Sequence, residues 1–147
     1  MSFDQYDALK IEKQLCFPLY ACAKEVVRRY RPFLDPLDLT YTQYIAMMVL
    51  WEQRSLTVKE LGERLYLDSG TLTPLLKKLE AKGFITRRRS SEDERSLIVT
   101  VTEAGDDLRE KAKDIPEQMT KANVNLAPDE IRELYRMLYK LLSQVNS

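Results

Sequence analysis

Leu65-Tyr66-Leu67-Asp68-Ser69-Gly70-Thr71-Leu72-Thr73-Pro74-Leu75-Leu76-Lys77-Lys78-Leu79 is the stretch on which the fold turns. Leu72, Leu75, Leu76 and Leu79 recur at i, i+3, i+4 and i+7, the spacing of one buried helix face. Asp68 and Ser69, just before them, have side chains suited to accept the unpaired N–H groups of a helix start. Upstream, Thr57-Val58-Lys59-Glu60 has capping-box spacing and opens a shorter helix carrying Leu61 and Leu65. Downstream, Gly83 stands where a helix ends in a left-handed residue. Phe84 to Arg88 then reads as a strand, Ser90 to Arg95 as a polar tip, and Leu97, Val99 and Val101 alternate as a returning strand. Helix, short turn, helix, basic hairpin is the order of a winged helix-turn-helix.

That core occupies about residues 40–102, with Thr40-Tyr41-Thr42-Gln43 as a second capping box at its start. Before it, Tyr6, Leu9, Leu15, Cys16, Leu19, Tyr20, Val26, Val27 and Tyr30 recur at roughly helical spacing and predict one long first helix over about 5–31. Pro18 is expected to bend it, leaving the Gln14 carbonyl without its helical partner, and Pro32 and Pro36 to close it. After the core, Thr102 caps a helix from Glu103 to about Lys121, kinked or divided at Pro116. Pro128 at the first helical position and Asp129 start the last helix, striped with Ile131, Leu134, Tyr135, Leu138, Leu141, Leu142 and Val145. The expected class is mainly α with a small β-hairpin wing, one domain over 1–147. Its flanking helices, about 5–31 and 103–146, are too apolar to stand alone and read as a dimer interface. A two-fold dimer would place two recognition helices about one DNA turn apart, ~34 Å, and so read a palindromic operator.

Formal net charge is zero, yet charge is unevenly placed. From Lys77 to Arg95 there are seven basic residues against four acidic ones, so a basic segment coincides with the second helix and the wing. On the helix, Ser69, Thr71, Thr73, Lys77 and Lys78 are left for the side opposite the leucines. Small hydroxyl residues there let the helix start approach phosphates and base edges of double-stranded DNA. On the wing, Arg87, Arg88 and Arg89 suit phosphate neutralisation, and Arg95 near the tip suits a narrow minor groove. Each residue alone reads equally well as solvated surface; the order of elements joins them.

Two cysteines and no histidine argue against a disulfide framework and exclude the usual Cys/His zinc site and a Ser-His-Asp triad within one chain. No enzyme, cofactor or metal is expected. The longest apolar run, Tyr44 to Trp51, is far short of the ~20 residues of a membrane span, and the N-terminus lacks a secretory core, so a cytoplasmic location is expected.

These residues resemble the MarR family of regulators, and within it the organic hydroperoxide resistance branch. The resemblance is carried by Leu15-Cys16-Phe17-Pro18-Leu19-Tyr20, by Thr40-Tyr41-Thr42-Gln43-Tyr44, by Leu65 to Lys77, and by Asp93-Glu94-Arg95-Ser96. It implies that Cys16 is a peroxide-sensing thiol held by the hydroxyls of Tyr30 and Tyr41, with Tyr20 also in the sensing set. It further implies that Arg95 is a minor-groove contact positioned by Asp93. By periodicity alone Cys16 is an apolar filler in a helix stripe. On an unbroken helix Tyr30 lies fourteen residues beyond Cys16, ~21 Å away, so the pairing requires the partner subunit of a homodimer. Oxidation would proceed from sulfenic acid to a mixed disulfide with a low-molecular-weight thiol, or to sulfinic and sulfonic acids. Cys22 is too far along the helix to pair with Cys16, and no cysteine follows it, which resembles the one-cysteine type. Other readings are a MarR-type regulator responding to a small aromatic or anionic ligand, a thiol peroxidase, and a protein-binding adaptor using the acidic tip Glu92, Asp93 and Glu94.

Overall fold

The computed structural model describes residues 4–123 and 125–145. The helix-turn-helix is built from α3 (Tyr41–Gln53), α4 (Val58–Leu65) and α5 (Ser69–Ala81), preceded by α1 (Cys16–Arg29) and the short α2 (Arg31–Leu34). Thr40 starts α3 with a complete capping box: its hydroxyl accepts the Gln43 N–H at 3.2 Å, and the Gln43 side chain accepts the Thr40 N–H at 3.1 Å. At Thr57 only half of the expected box forms. The hydroxyl accepts the Glu60 N–H at 3.0 Å, but the Glu60 carboxylate takes that same hydroxyl rather than the Thr57 N–H. Between α4 and α5 the chain reverses through Tyr66, in the left-handed region at φ 56°, and Asp68 caps α5 by accepting the Thr71 N–H at 2.8 Å. Gly83, at φ 84°, closes α5: its N–H donates to Glu80 and that of Phe84 to Leu79, the two bonds of a Schellman motif.

The expected hairpin forms the wing, and a third short strand joins it into a three-stranded antiparallel sheet. β1 (Ser55–Thr57) and β2 (Ile85–Arg89) flank β3 (Leu97–Val101), with Leu56 opposite Val99 and Arg87 opposite that same valine on the other side. The strand after Gly83 runs one residue later than expected, and β1 is too short to announce itself by alternation. The core joins residues the sequence pattern marks, Leu72, Leu76 and Leu79 of α5, Leu61 of α4 and Val99 of β3, to Met47 and Leu50 of α3 and Ile85 of β2. At about 25 cal/mol per Å² of apolar surface removed from water, each such leucine contributes on the order of 2 kcal/mol.

Two further helices continue the chain. Thr102 caps α6 (Glu103–Ala112), and the helix expected to reach Lys121 is divided, not kinked: α7 (Ile115–Asn123) begins afresh, with Pro116 in its first turn. Gly105 allows α6 to sit against the sheet. A Cβ there would lie 2.4 Å from the Phe84 carbonyl oxygen and 2.6 Å from the Val101 side chain, and the Trp51 Nε1–H donates to the Gly105 carbonyl at 2.8 Å. Because the first obstacle is backbone, Gly105→Ala is expected to cost about 1 to 3 kcal/mol, read as a lower urea midpoint. An unchanged midpoint would show that α6 does not press on the sheet this closely.

The first helix is the main correction. In place of one helix over about 5–31, two single 3-10 turns, Asp7–Leu9 and Ile11–Lys13, precede α1, because Lys10 and Gln14 adopt extended backbone. The Gln14 amide reinforces this by donating to the carbonyls of Ala8 and Lys10. Pro18 therefore lies in the first turn of α1 and does not bend it. The N–H it lacks would have pointed at Gln14, which is outside the helix. Pro32 and Pro36 likewise open turns, α2 and the 3-10 turn Asp35–Leu37, instead of merely ending α1.

By its contacts the chain divides into two compact units, Met1–Ile115 and Pro116–Ser147. The second carries α8 (Pro128–Val145), whose stripe residues Ile131, Leu134, Tyr135, Leu138 and Leu141 are exposed; the side chain of Val145 and residue 146 lie outside the described residues. Among the described residues no helix is long and apolar enough to cross a membrane.

Candidate nucleic-acid interface and thiol site

The four leucines of α5 are buried, which turns Ser69, Gly70, Thr71, Thr73, Pro74, Lys77 and Lys78 outward together. Pro74 lies inside the helix and leaves the Gly70 carbonyl without an intrahelical partner. Gly70 and Pro74 also keep the middle of the outer face low, with hydroxyls at one end and lysines at the other. The Asp68 carboxylate that caps this helix is held below its ordinary range by the Thr71 N–H.

The wing arginines do not share one environment. Arg88 and Arg89 are exposed, and the Arg89 guanidinium donates to the Glu94 carbonyl at 2.8 Å, bracing the tip. The tip itself is folded by short polar side chains: Ser90 accepts the N–H groups of Glu92 and Asp93, and Asp93 accepts the Arg95 N–H at 3.0 Å. Asp93 thus sets the backbone from which the exposed Arg95 extends. Arg87 departs from the sequence expectation. Its side chain is 17% exposed, its guanidinium pairs with Glu80 at 3.0 Å, and its N–H also donates to Glu80. Its Nε is buried without a partner among the described residues. The hydrogen bond from Arg87 holds the Glu80 carboxyl below its ordinary range. Arg87 ties the recognition helix to the wing, and its charge is already met within the chain.

The thiol residues divide into two groups. Tyr30, the C-cap of α1, and Tyr41, the first residue of α3, come together with ring centroids 5.1 Å apart, though eleven positions separate them in sequence. A third phenol joins them that sequence reading passed over: Tyr44, 3% exposed, with its ring 5.8 Å from Tyr30 and 6.4 Å from Tyr41. Its spacing of three from Tyr41 on α3 was the available signal. Burial pushes the Tyr30 and Tyr41 hydroxyls above their ordinary range and Tyr44 up to about 12, so all three remain protonated donors at neutral pH. Cys16 and Tyr20 lie elsewhere, exposed at the other end of α1, with the Lys24 ammonium 5.9 Å from the centre of the Tyr20 ring. A fourteen-residue helix separates Cys16 from Tyr30, ~21 Å at 1.5 Å per residue. Both cysteines are free.

A buried helix pair with a polar outward face, followed by a basic sheet hairpin, defines a winged helix-turn-helix regulator. Comparison with known proteins narrows that class. The family model for the transcriptional regulator SarA/Rot matches residues 28–115. The organic hydroperoxide resistance transcriptional regulator of Bacillus subtilis strain 168 is 49% identical over 143 residues, 97% of each chain. A structure of reduced AbfR bound to DNA superposes with TM-score 0.78 at 30% identity, covering 98% of this chain and 100% of that one. Overoxidized AbfR bound to DNA gives TM-score 0.75 at 30% identity, covering 97% and 99%. The chain belongs to the MarR family of transcriptional regulators, in its organic hydroperoxide resistance branch.

Proposed function

We propose that two copies of this chain form a repressor dimer on a palindromic operator, and that an organic hydroperoxide releases it by oxidising Cys16. The observation that carries this reading is the Tyr30–Tyr41 pair. Two tyrosines assigned to one thiol from sequence likeness meet at 5.1 Å, at the opposite end of the helix that begins with that thiol. Only a partner's α1, running the other way, brings a cysteine to them. The exposed apolar residues of α1 and of α8 supply surfaces for such a pairing, and light scattering of reduced protein at micromolar concentration is expected to report about twice the chain mass. A folded monomer would defeat the pairing in trans.

In the dimer, phenol O–H groups donate to the sulfur anion, the form that attacks a peroxide. The thiolate sulfur attacks the terminal peroxide oxygen, the O–O bond breaks, the alkoxide leaves as an alcohol after taking a proton, and sulfenic acid remains. A low-molecular-weight thiol then displaces water and gives a mixed disulfide. DNA contacts are assigned to Ser69, Thr71, Thr73, Lys77, Lys78, Arg88, Asp93 and Arg95. Arg87 is reassigned to positioning the wing.

The test is binding to the DNA upstream of its own gene before and after an organic hydroperoxide, with the state of Cys16 read by mass spectrometry. Binding that persists on fully oxidised protein would overturn the reading. A second reading has one observation in its favour: an open groove on α1 lined by Tyr20, Ala23, Val27, Lys24, Arg28 and Arg31, an apolar floor with a cationic rim suited to a small aromatic anion. Release by such an anion without oxidation would favour it.

A further inference from the structure

Lys82 is the C-cap residue of α5, where a lysine ordinarily turns back on the last carbonyls of its own helix. Here its ammonium reaches across to the segment before α3. It donates to the Asp38 carbonyl, lies 3.4 Å from the Asp38 carboxylate, and donates to the Gln43 Oε1 at 3.2 Å. An ammonium has three N–H donors, and three acceptors surround this one. Gln43 is a buried polar side chain, 3% exposed. Its other lone pair is used by the Thr40 N–H, in the capping box that starts α3. Asp38 sits at φ 54°, a conformation sparsely populated by residues other than glycine, and Lys82 holds both its carbonyl and its carboxylate.

These bonds join two places that have separate tasks. Tyr41 is the first residue of α3, inside the capping box, and Tyr44 follows one turn on. Lys82 closes the helix whose outer face carries Ser69, Thr71, Thr73 and the two lysines, and Glu80 of that helix grips Arg87 of the wing. We propose that Lys82 is a positioning residue that transmits displacement of the Tyr41 end of α3 to the recognition helix, so that oxidation at the tyrosine cluster is felt at the DNA face. A directional hydrogen-bonded link, anchored on the buried Gln43, carries a shift where an apolar contact would slide. The proposal rests on the oxidation switch described above.

The experiment uses full-length Lys82→Met, which keeps the stem and removes all three donors, beside Lys82→Arg and the exposed Asp38→Asn. Dissociation constants for the DNA upstream of its own gene are measured for reduced protein and for protein oxidised at Cys16 with cumene hydroperoxide. For Lys82→Met the reduced protein is expected to bind within about threefold of the parent, while the oxidised-to-reduced ratio falls by roughly fivefold or more. Asp38→Asn is expected to fall between, Lys82→Arg to stay near the parent, and the rate of Cys16 oxidation to be unchanged. A merely structural role would weaken both states alike and leave the ratio intact, and an intact ratio would overturn the proposal. If Lys82→Met does not fold, Asp38→Asn decides by the same ratio. A parent protein whose affinity does not change on Cys16 oxidation would overturn the switch and this link together, whereas a responsive parent with an unaltered Lys82→Met ratio overturns the link alone.

Discussion

Cys16→Ser protein is expected to bind its operator as tightly as the reduced parent and to stay bound after a dose of organic hydroperoxide that releases the parent. Serine preserves the size of the side chain but has no sulfur to enter the oxidation ladder. Under the proposed switch, a bulky oxidised sulfur in the parent would enter a seam against the phenol rings, where overpacking costs about 1 to 3 kcal/mol per site. Two such sites in a dimer are enough to lower affinity tenfold or more, since ~1.4 kcal/mol is one decade. Cys22→Ser should release like the parent, because Cys22 lies six positions along the same helix and outside the tyrosine cluster. Tyr30→Phe and Tyr41→Phe should slow oxidation while keeping the rings. Release of Cys16→Ser at the parent's dose would transfer the switch to a bound ligand. The sulfur product present at release, a sulfenic acid, a mixed disulfide or a higher acid, is to be identified by mass. A mixed disulfide is the bulkiest of the candidates and the one the seam accommodates least.

Arg95→Ala is expected to weaken operator binding and flatten its salt dependence. Each phosphate-region cation lost changes the slope of log affinity against log salt by about 0.9, and a dimer carries two wings, so the slope should fall by roughly 1.8. The contrast with Arg87→Ala is the sharper check. Arg87 is already paired with Glu80 and mostly buried, so its removal should break the side-chain and packing tie between α5 and the wing and lower stability modestly, with little change in salt slope. An unaltered slope for Arg95→Ala would show that the wing tip does not approach DNA. A reduced slope for Arg87→Ala would show that the Glu80 pair opens on binding.

What could be read from the chain without coordinates was whatever depends on residues close in sequence. The leucine stripe of α5, the Asp68 cap, the Gly83 stop, the Thr40 capping box and the alternation of β3 are local matters of helix period, unpaired N–H groups and strand pleat, and each takes its expected place. Local pattern misled at the N-terminus. There apolar spacing continued through Lys10 and Gln14, but Tyr6, Leu9, Ile11 and Leu15 on those turns are exposed and gain no burial to offset a fixed helical backbone, and the Gln14 amide bonds to non-helical carbonyls instead. Only the tertiary structure decided which charges and phenols are free. Arg87, Arg88 and Arg89 are the same residue three times in the sequence, yet the position of Glu80 on α5 engages and half-buries the first, while Arg88 and Arg89, the latter on the same strand face as Arg87, are exposed. Tyr30, Tyr41 and Tyr44 become one cluster because α1 ends where α3 begins, a fact of chain reversal through Pro32 and Pro36 that no window of sequence contains. The same reversal leaves Lys82 beside Asp38 and Gln43, some forty positions away, where three acceptors converge on one ammonium.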